Sequence, residues 1–212
     1  MKKLNVFDFD NTLFNSPADN GHYRNLYEKE TGIPWIISKE LAAQLSKKLK
    51  RKISPRHGWW GRAESLQPPI VPDPPPKDWL LPTHIDLLES KKDPTSVSII
   101  MTGRHAGLKQ HVLRILYHYD ILNIVKEKDW FINNDAVSIY CLGENGPLKN
   151  EEFGEPKPNQ TFPWKCWIIS QFLLLYPLEN VEIWEDREEH VNQFIEFGKK
   201  FPTINFKINH VK

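Results

Sequence analysis

Short apolar runs alternate along most of this chain with stretches whose apolar residues recur at helical spacing, and that alternation limits the folds open to it. Residues 4–9, 97–101, 130–132, 181–184 and 204–208 read as strands, rich in the β-branched and aromatic side chains that pleated sheets favour. Residues 108–119, 164–176 and 188–200 read as helices. Such repetition predicts an α/β fold, a three-layer sandwich with a mainly parallel sheet between helices. A further strand-like piece, 137–142, stands where a hairpin could extend the sheet.

Residues 15–94 break the rhythm. They hold a basic stretch at 38–52 that reads as a helix, a GWWG turn at 58–61, and prolines at 68, 69, 72, 74, 75 and 76. The prolines exclude helix and central strand there and leave extended chain. The expected organisation is a core of 1–14 and 95–212, with 15–94 as a basic, Trp/Pro-rich, cap-like insertion after the first strand. Residues 143–160 are polar and read as a surface loop.

A chain of 212 residues suffices for one sizeable core with an inserted subdomain. Its net charge of +1 is unevenly spread. Eight Lys/Arg face only Glu40 between Lys39 and Arg62, whereas seven acids face only Arg187 between Glu179 and Glu196. Cys141 and Cys166 stand in no paired pattern, as in the interior of a reduced protein. The N-terminus MKKLNVFDFD lacks a secretory apolar region and no apolar run reaches membrane length, so the expected setting is cytoplasmic or nuclear, with no membrane partner.

In an open parallel sheet, ligands bind beyond the carboxyl ends of the strands. The first strand ends in VFDFDNT, placing Asp8 and Asp10 two residues apart and hence on the same face of an extended chain, followed by Thr12. Like charges that close need a cation or a retained proton. The second strand ends in Thr102, Gly103 and Arg104, and the run VEIW ends in Glu185 and Asp186. Lys165 opens a helix, where a cation opposes the helix dipole unless carboxylates or an anion compensate it. Carboxylates, a lysine, a hydroxyl and backbone N–H groups suit a hard cation such as Mg²⁺ together with a phosphate. Lys157 competes with Lys165, which is favoured because it starts a helix rather than lying in a Pro-flanked loop.

The set Asp8-Phe9-Asp10-Asn11-Thr12, Thr102, Lys165 and Glu185-Asp186, in that order, resembles the four motifs of the haloacid dehalogenase-like (HAD) phosphohydrolase superfamily. The resemblance implies a HAD-like Rossmannoid core. Asp8 would be the nucleophile, forming an aspartyl-phosphate, and Asp10 the general acid and base. Mg²⁺ would sit on the Asp8 carboxylate, the Asp10 main-chain carbonyl and Asp186, with Glu185 as an alternative ligand. Thr102, Gly103 and Lys165 would bind the phosphoryl oxygens. Arg104 stays open between substrate contact and pairing with an acid.

The stretches FNSPADN, HGWWG, TGR and EDREEHVNQF look like the HAD domain of Swiss Army Knife RNA-repair proteins. That likeness implies a phosphorylated RNA or DNA end as substrate, a 3′-phosphate foremost. Lys50, Arg51 and Lys52 are candidate backbone contacts. Trp59 and Trp60 are open between stacking on bases and anchoring the insertion. The rival expectations are a small-molecule or nucleotide phosphatase, and a catalytically weak HAD-fold module that binds nucleic acid or protein. Oligomeric state is not legible.

Overall fold

The computed structural model describes residues 1–55, 58–121, 137–148 and 157–212. Five strands form one all-parallel sheet in the order β3-β2-β1-β4-β5. They are β1 (Lys3–Asp8), β2 (Ser96–His105), β3 (Ser138–Leu142), β4 (Asn180–Glu185) and β5 (Asn205–His210). The mixed α/β architecture is that of a HAD-like Rossmannoid fold. β3 pairs in parallel with β2, from Ile99 against Ser138 to His105 against Leu142. It therefore joins the sheet as a parallel edge of the described strands, not as half of a hairpin with β2. The strand expected at 130–132 lies outside the described residues.

Helices are α1 (Gly21–Thr31), α2 (Lys39–Leu49), α3 (Thr83–Ser90), α4 (Lys109–His118), α5 (Thr161–Leu175) and α6 (Glu188–Gly198). Among the described residues, no helix is long and apolar enough to cross a membrane. Cys141 is buried, Cys166 is half-buried, and both are free thiols.

β1 is central, bonded to β2 from Lys3 against Ser96 to Asp8 against Met101 and to β4 from Lys3 against Asn180 to Phe7 against Trp184. Covered on both faces, it needs a continuous apolar run rather than alternation, and Leu4, Val6, Phe7 and Phe9 are all buried. α5 is apolar around most of its circumference, as a helix enclosed by its neighbours must be. Its Trp164, Trp167, Ile168 and Phe172 pack with Leu4, Val6, Ile99, Ile183 and Phe194 in one cluster.

The chain divides into two compact units, residues 1–16 with 76–212, and residues 17–75. The expected insertion of 15–94 is thereby split. Residues 76–94, with α3 and its buried Leu87, pack with the sheet. The small unit closes on its own aromatic core. Trp35 and Trp59 lie 4.6 Å apart by ring centroids, the Trp59 indole N–H donates to the Pro17 carbonyl at 2.8 Å, and the Arg62 guanidinium stacks 3.4 Å from the Trp35 ring.

Candidate active site

The strand order turns outward from β1 in both directions, so the switch point of the sheet lies at the carboxyl end of β1. β1 delivers Asp8 there, the turn after it Asp10, β2 Thr102 and Arg104, β4 Glu185 and the next residue Asp186. Asn11 carries the turn in the left-handed region at φ 55°, a conformation Asn tolerates better than most side chains. Gly103 lets the end of β2 approach the start of α5. A Cβ at that position would lie 3.0 Å from Cγ2 of Thr161, so a larger residue would press the two elements apart.

Lys165, in the first turns of α5, is 1% exposed. Its Nζ lies 2.7 Å from Asp8 Oδ1 and 2.7 Å from Glu185 Oε2. This is the compensation that a cation near a helix N-terminus requires. Lys157 instead donates to the Gly143 carbonyl at 2.6 Å and to Asn145 Oδ1 at 3.2 Å, away from these carboxylates. Of the two competing lysines, Lys165 is the one beside Asp8.

Asp10 is held from three sides. Arg104 reaches Oδ1 through Nη2 at 2.8 Å and both oxygens through Nε at 3.1 Å. The Ser16 hydroxyl donates to Oδ1 at 2.6 Å and the Thr102 hydroxyl to Oδ2 at 3.2 Å. Thr102 in turn accepts the Arg104 backbone N–H at 3.0 Å. The open choice for Arg104 thus falls to pairing with an acid, and that acid is Asp10. Thr12 is buried, its hydroxyl unpartnered among the described residues.

Glu185 accepts from more than Lys165. Arg187 Nε lies 3.2 Å from Oε1 and His190 Nδ1 lies 3.4 Å from Oε2. Ser16 and His190 were not legible as site residues. Both lie in stretches that carry the family likeness, FNSPADN and EDREEHVNQF, but a turn serine and a helix histidine are more often structural, and only the fold brings them to the carboxylates.

The charges explain one another. Burial raises the Asp8 carboxyl, Lys165 opposes it, and the neighbouring Glu185 and Asp10 add to the rise, leaving it pushed up to about 8. Burial would also raise Glu185, but the Lys165 charge, the His190 and Lys165 hydrogen bonds and Arg187 outweigh it and hold the group well below its usual range. Burial would lower Lys165; Asp8 and Glu185 overcome that and raise it. One ammonium is therefore shared unequally. Glu185 takes the ionised form, and Asp8 is the carboxyl that gains a proton when no other cation is present. Asp186 is raised by burial and by the adjacent Glu185 charge.

Asp8, Glu185 and Asp186 each place one carboxylate oxygen within 4.8 Å of the others. This oxygen-only donor set fits a hard divalent cation, and the raised Asp8 and Asp186 mark an excess of negative charge that such a cation would relieve.

The residues named for nucleic acid lie in the small unit. Lys50, Arg51 and Lys52 are exposed. Trp60 is 43% exposed, but Trp59 is 2% exposed, packed on Trp35 and Tyr23 and tied to Pro17. Trp59 has no free face for a base. Of the two roles open to it, stacking and anchoring, its burial leaves anchoring within the small unit.

Comparison with known proteins gives three matches. The HAD domain family 1 in Swiss Army Knife RNA repair proteins matches residues 37–212, a span that takes in Thr102, Lys165, Glu185 and Asp186 and starts beyond Asp10. The uncharacterized protein YMR265C of Saccharomyces cerevisiae is 26% identical over 203 residues, 92% of this chain. The chain spans 36% of that protein's length. Among solved structures, the Legionella pneumophila effector Ceg4 is similar at 13% identity and a TM-score of 0.46, over 99% of this chain and 85% of its own.

Proposed function

This chain belongs to HAD domain family 1 in Swiss Army Knife RNA repair proteins, and we propose that it is a Mg²⁺-dependent phosphatase acting on phosphorylated nucleic-acid ends, RNA 3′-phosphates foremost. The observation that carries this reading is the buried Asp8 carboxylate at the end of β1, 2.7 Å from the Lys165 ammonium and grouped with Glu185 and Asp186. A nucleophilic carboxylate needs such a cation beside it to bring an anionic phosphate within reach.

In the reading proposed here, Asp8 attacks phosphorus, the bond to the leaving oxygen breaks, and Asp10 supplies the proton that oxygen takes up. Asp10 then removes a proton from water as the water oxygen attacks phosphorus, releasing inorganic phosphate and restoring Asp8. Ser16, Thr102 and Arg104 hold Asp10 in position for both transfers. Lys165 offsets charge on the phosphoryl oxygens, and the Gly103 N–H, with the Thr102 hydroxyl once it turns from Asp10, would donate to them. Asp8, Asp186 and the Asp10 main-chain carbonyl, with Glu185 as alternative, would hold Mg²⁺. When bound, the ion supplies neutralising charge for the carboxylates and the phosphate.

The test is phosphate release with and without Mg²⁺ from a 3′-phosphorylated oligoribonucleotide, a mononucleotide and an aryl phosphate. Preference for the oligonucleotide supports end repair. Preference for the small esters keeps the chemistry and changes the substrate. No release from any of the three would overturn the phosphatase reading.

A further inference from the structure

The basic run of the small unit has two halves with different explanations. Lys47 and Lys48 occupy the last turn of α2, where cations are favourable against the helix dipole. Lys50, Arg51 and Lys52 lie beyond that turn and gain nothing comparable. Lys50 ends the helix in the left-handed region at φ 49°, a place usually taken by Gly or Asn and costly for a side chain with a Cβ, by about 1 kcal/mol. The helix thus ends on a lysine, and the exposed Arg51 and Lys52 follow it.

Those two residues form part of a cavity of about 360 Å³ within the small unit, lined also by Tyr27, Ile33, Ile53, Ser54 and Glu64. Its volume is in the range of ligand pockets. Glu64, the acid on that wall, lies 3.5 Å from Arg62. Among the described residues, no carboxylate comes within ion-pair distance of Lys47, Lys48, Lys50, Arg51 or Lys52. Five cations within six residues, none of them ion-paired, repel one another across distances shorter than the screening length of about 8 Å at physiological salt. A polyanion would relieve that repulsion.

We propose that Lys50, Arg51 and Lys52, with the Ser54 side of this cavity, form a separate binding site for the phosphodiester backbone of a polynucleotide. A membrane fits less well. The Ala42 face of α2 is turned into the small unit's own core, Leu41 and Leu45 are half-buried, and Leu49 is the one large apolar side chain of α2 that is exposed. The site shares its ligand class with the phosphatase reading but needs no catalysis, so it is tested by equilibrium binding without Mg²⁺.

Fluorescence anisotropy of a labelled single-stranded oligonucleotide, titrated with the full chain at several salt concentrations, gives the slope of log affinity against log salt. The triple variant Lys50→Ala, Arg51→Ala, Lys52→Ala should bind more weakly and with a slope shallower by about 2, at about 0.7 per lost phosphate contact. The charge-keeping triple Lys50→Arg, Arg51→Lys, Lys52→Arg should retain the slope, and circular dichroism melting monitors the fold of both. An unchanged slope in the alanine triple overturns the site, whatever the phosphatase assay gives. So does binding to phosphatidylserine vesicles without binding to the oligonucleotide.

Discussion

Lys165 Nζ lies 2.7 Å from Asp8 Oδ1, with both side chains almost fully removed from solvent. Glu185, equally buried and 2.7 Å from the same ammonium, is the ionised partner of Lys165 when no divalent cation is bound, and those two charges are stabilising only as a pair, because either one alone has lost its hydration without compensation. Replacing Lys165 by Ala should therefore destabilise the protein by about 3–5 kcal/mol in metal-free buffer, besides stopping turnover. The double variant Glu185→Gln, Lys165→Met, which removes both buried charges, should recover part of the loss. Denaturant titration reads both, and a single variant as stable as the parent would contradict the buried pair.

The Arg104 contact with Asp10 uses the fork of the guanidinium, so lysine is not an equivalent there. Arg104→Lys should lower kcat by about 10-fold to 100-fold through misplacement of the Asp10 carboxylate, with a smaller effect on KM. Steady-state kinetics on an aryl phosphate measures the split. An unchanged kcat would show that Arg104 does not position Asp10.

The raised Asp8 carboxyl has a consequence for stability. A model carboxyl titrates near 3.9, so between about 4 and about 8 the folded chain holds a proton at Asp8 that the unfolded chain has released. Stability in the absence of divalent cations should then fall as pH rises through that window. Mg²⁺ would take the place of the proton and remove the fall. Melting temperatures in chelator and in Mg²⁺ between pH 5 and 8 test this; curves that run parallel would contradict it.

Far from the site, Glu182 behaves oppositely. Burial would raise it, but hydrogen bonds from Lys207, Lys3 and Asn209 outweigh burial and bring it to about 2. Its contribution is present above the usual value near 4.3 and is lost as pH falls toward 2. Glu182→Gln should flatten acid unfolding in that range. An unaltered acid limb would show the cluster to be without effect.

How much of this was legible in sequence depends on whether a residue's partners are local. The strand runs at 4–9, 97–101, 181–184 and 204–208 and the carboxylates ending β1 and β4 follow from period and composition, and they stand where expected. α1 was not legible, because it buries only Tyr27 along its length and so shows little apolar periodicity. Its caps were the available signal: the Asn20 side chain accepts the Tyr23 N–H, and Gly32 ends the helix at φ 65°. α3 is short, with Leu87 and Thr83 its buried residues. Arg104 and Asp10 are 94 residues apart, and no spacing rule could have joined them. Trp59 shows the reverse limit. Its aromatic character left stacking and anchoring both open, and only packing on Trp35 and the bond to Pro17 decide for the anchor.

In the proposed mechanism Asp8 becomes phosphorylated during turnover. Acid quenching of the enzyme during hydrolysis of a ³²P-labelled substrate with Mg²⁺, followed by peptide mapping, tests it most directly. The expected result is an acid-stable, base-labile phosphoryl group on the peptide carrying Asp8, absent in Asp8→Asn, which should also have lost turnover. Active enzyme with no trapped phosphate and an active Asp8→Asn variant would contradict it.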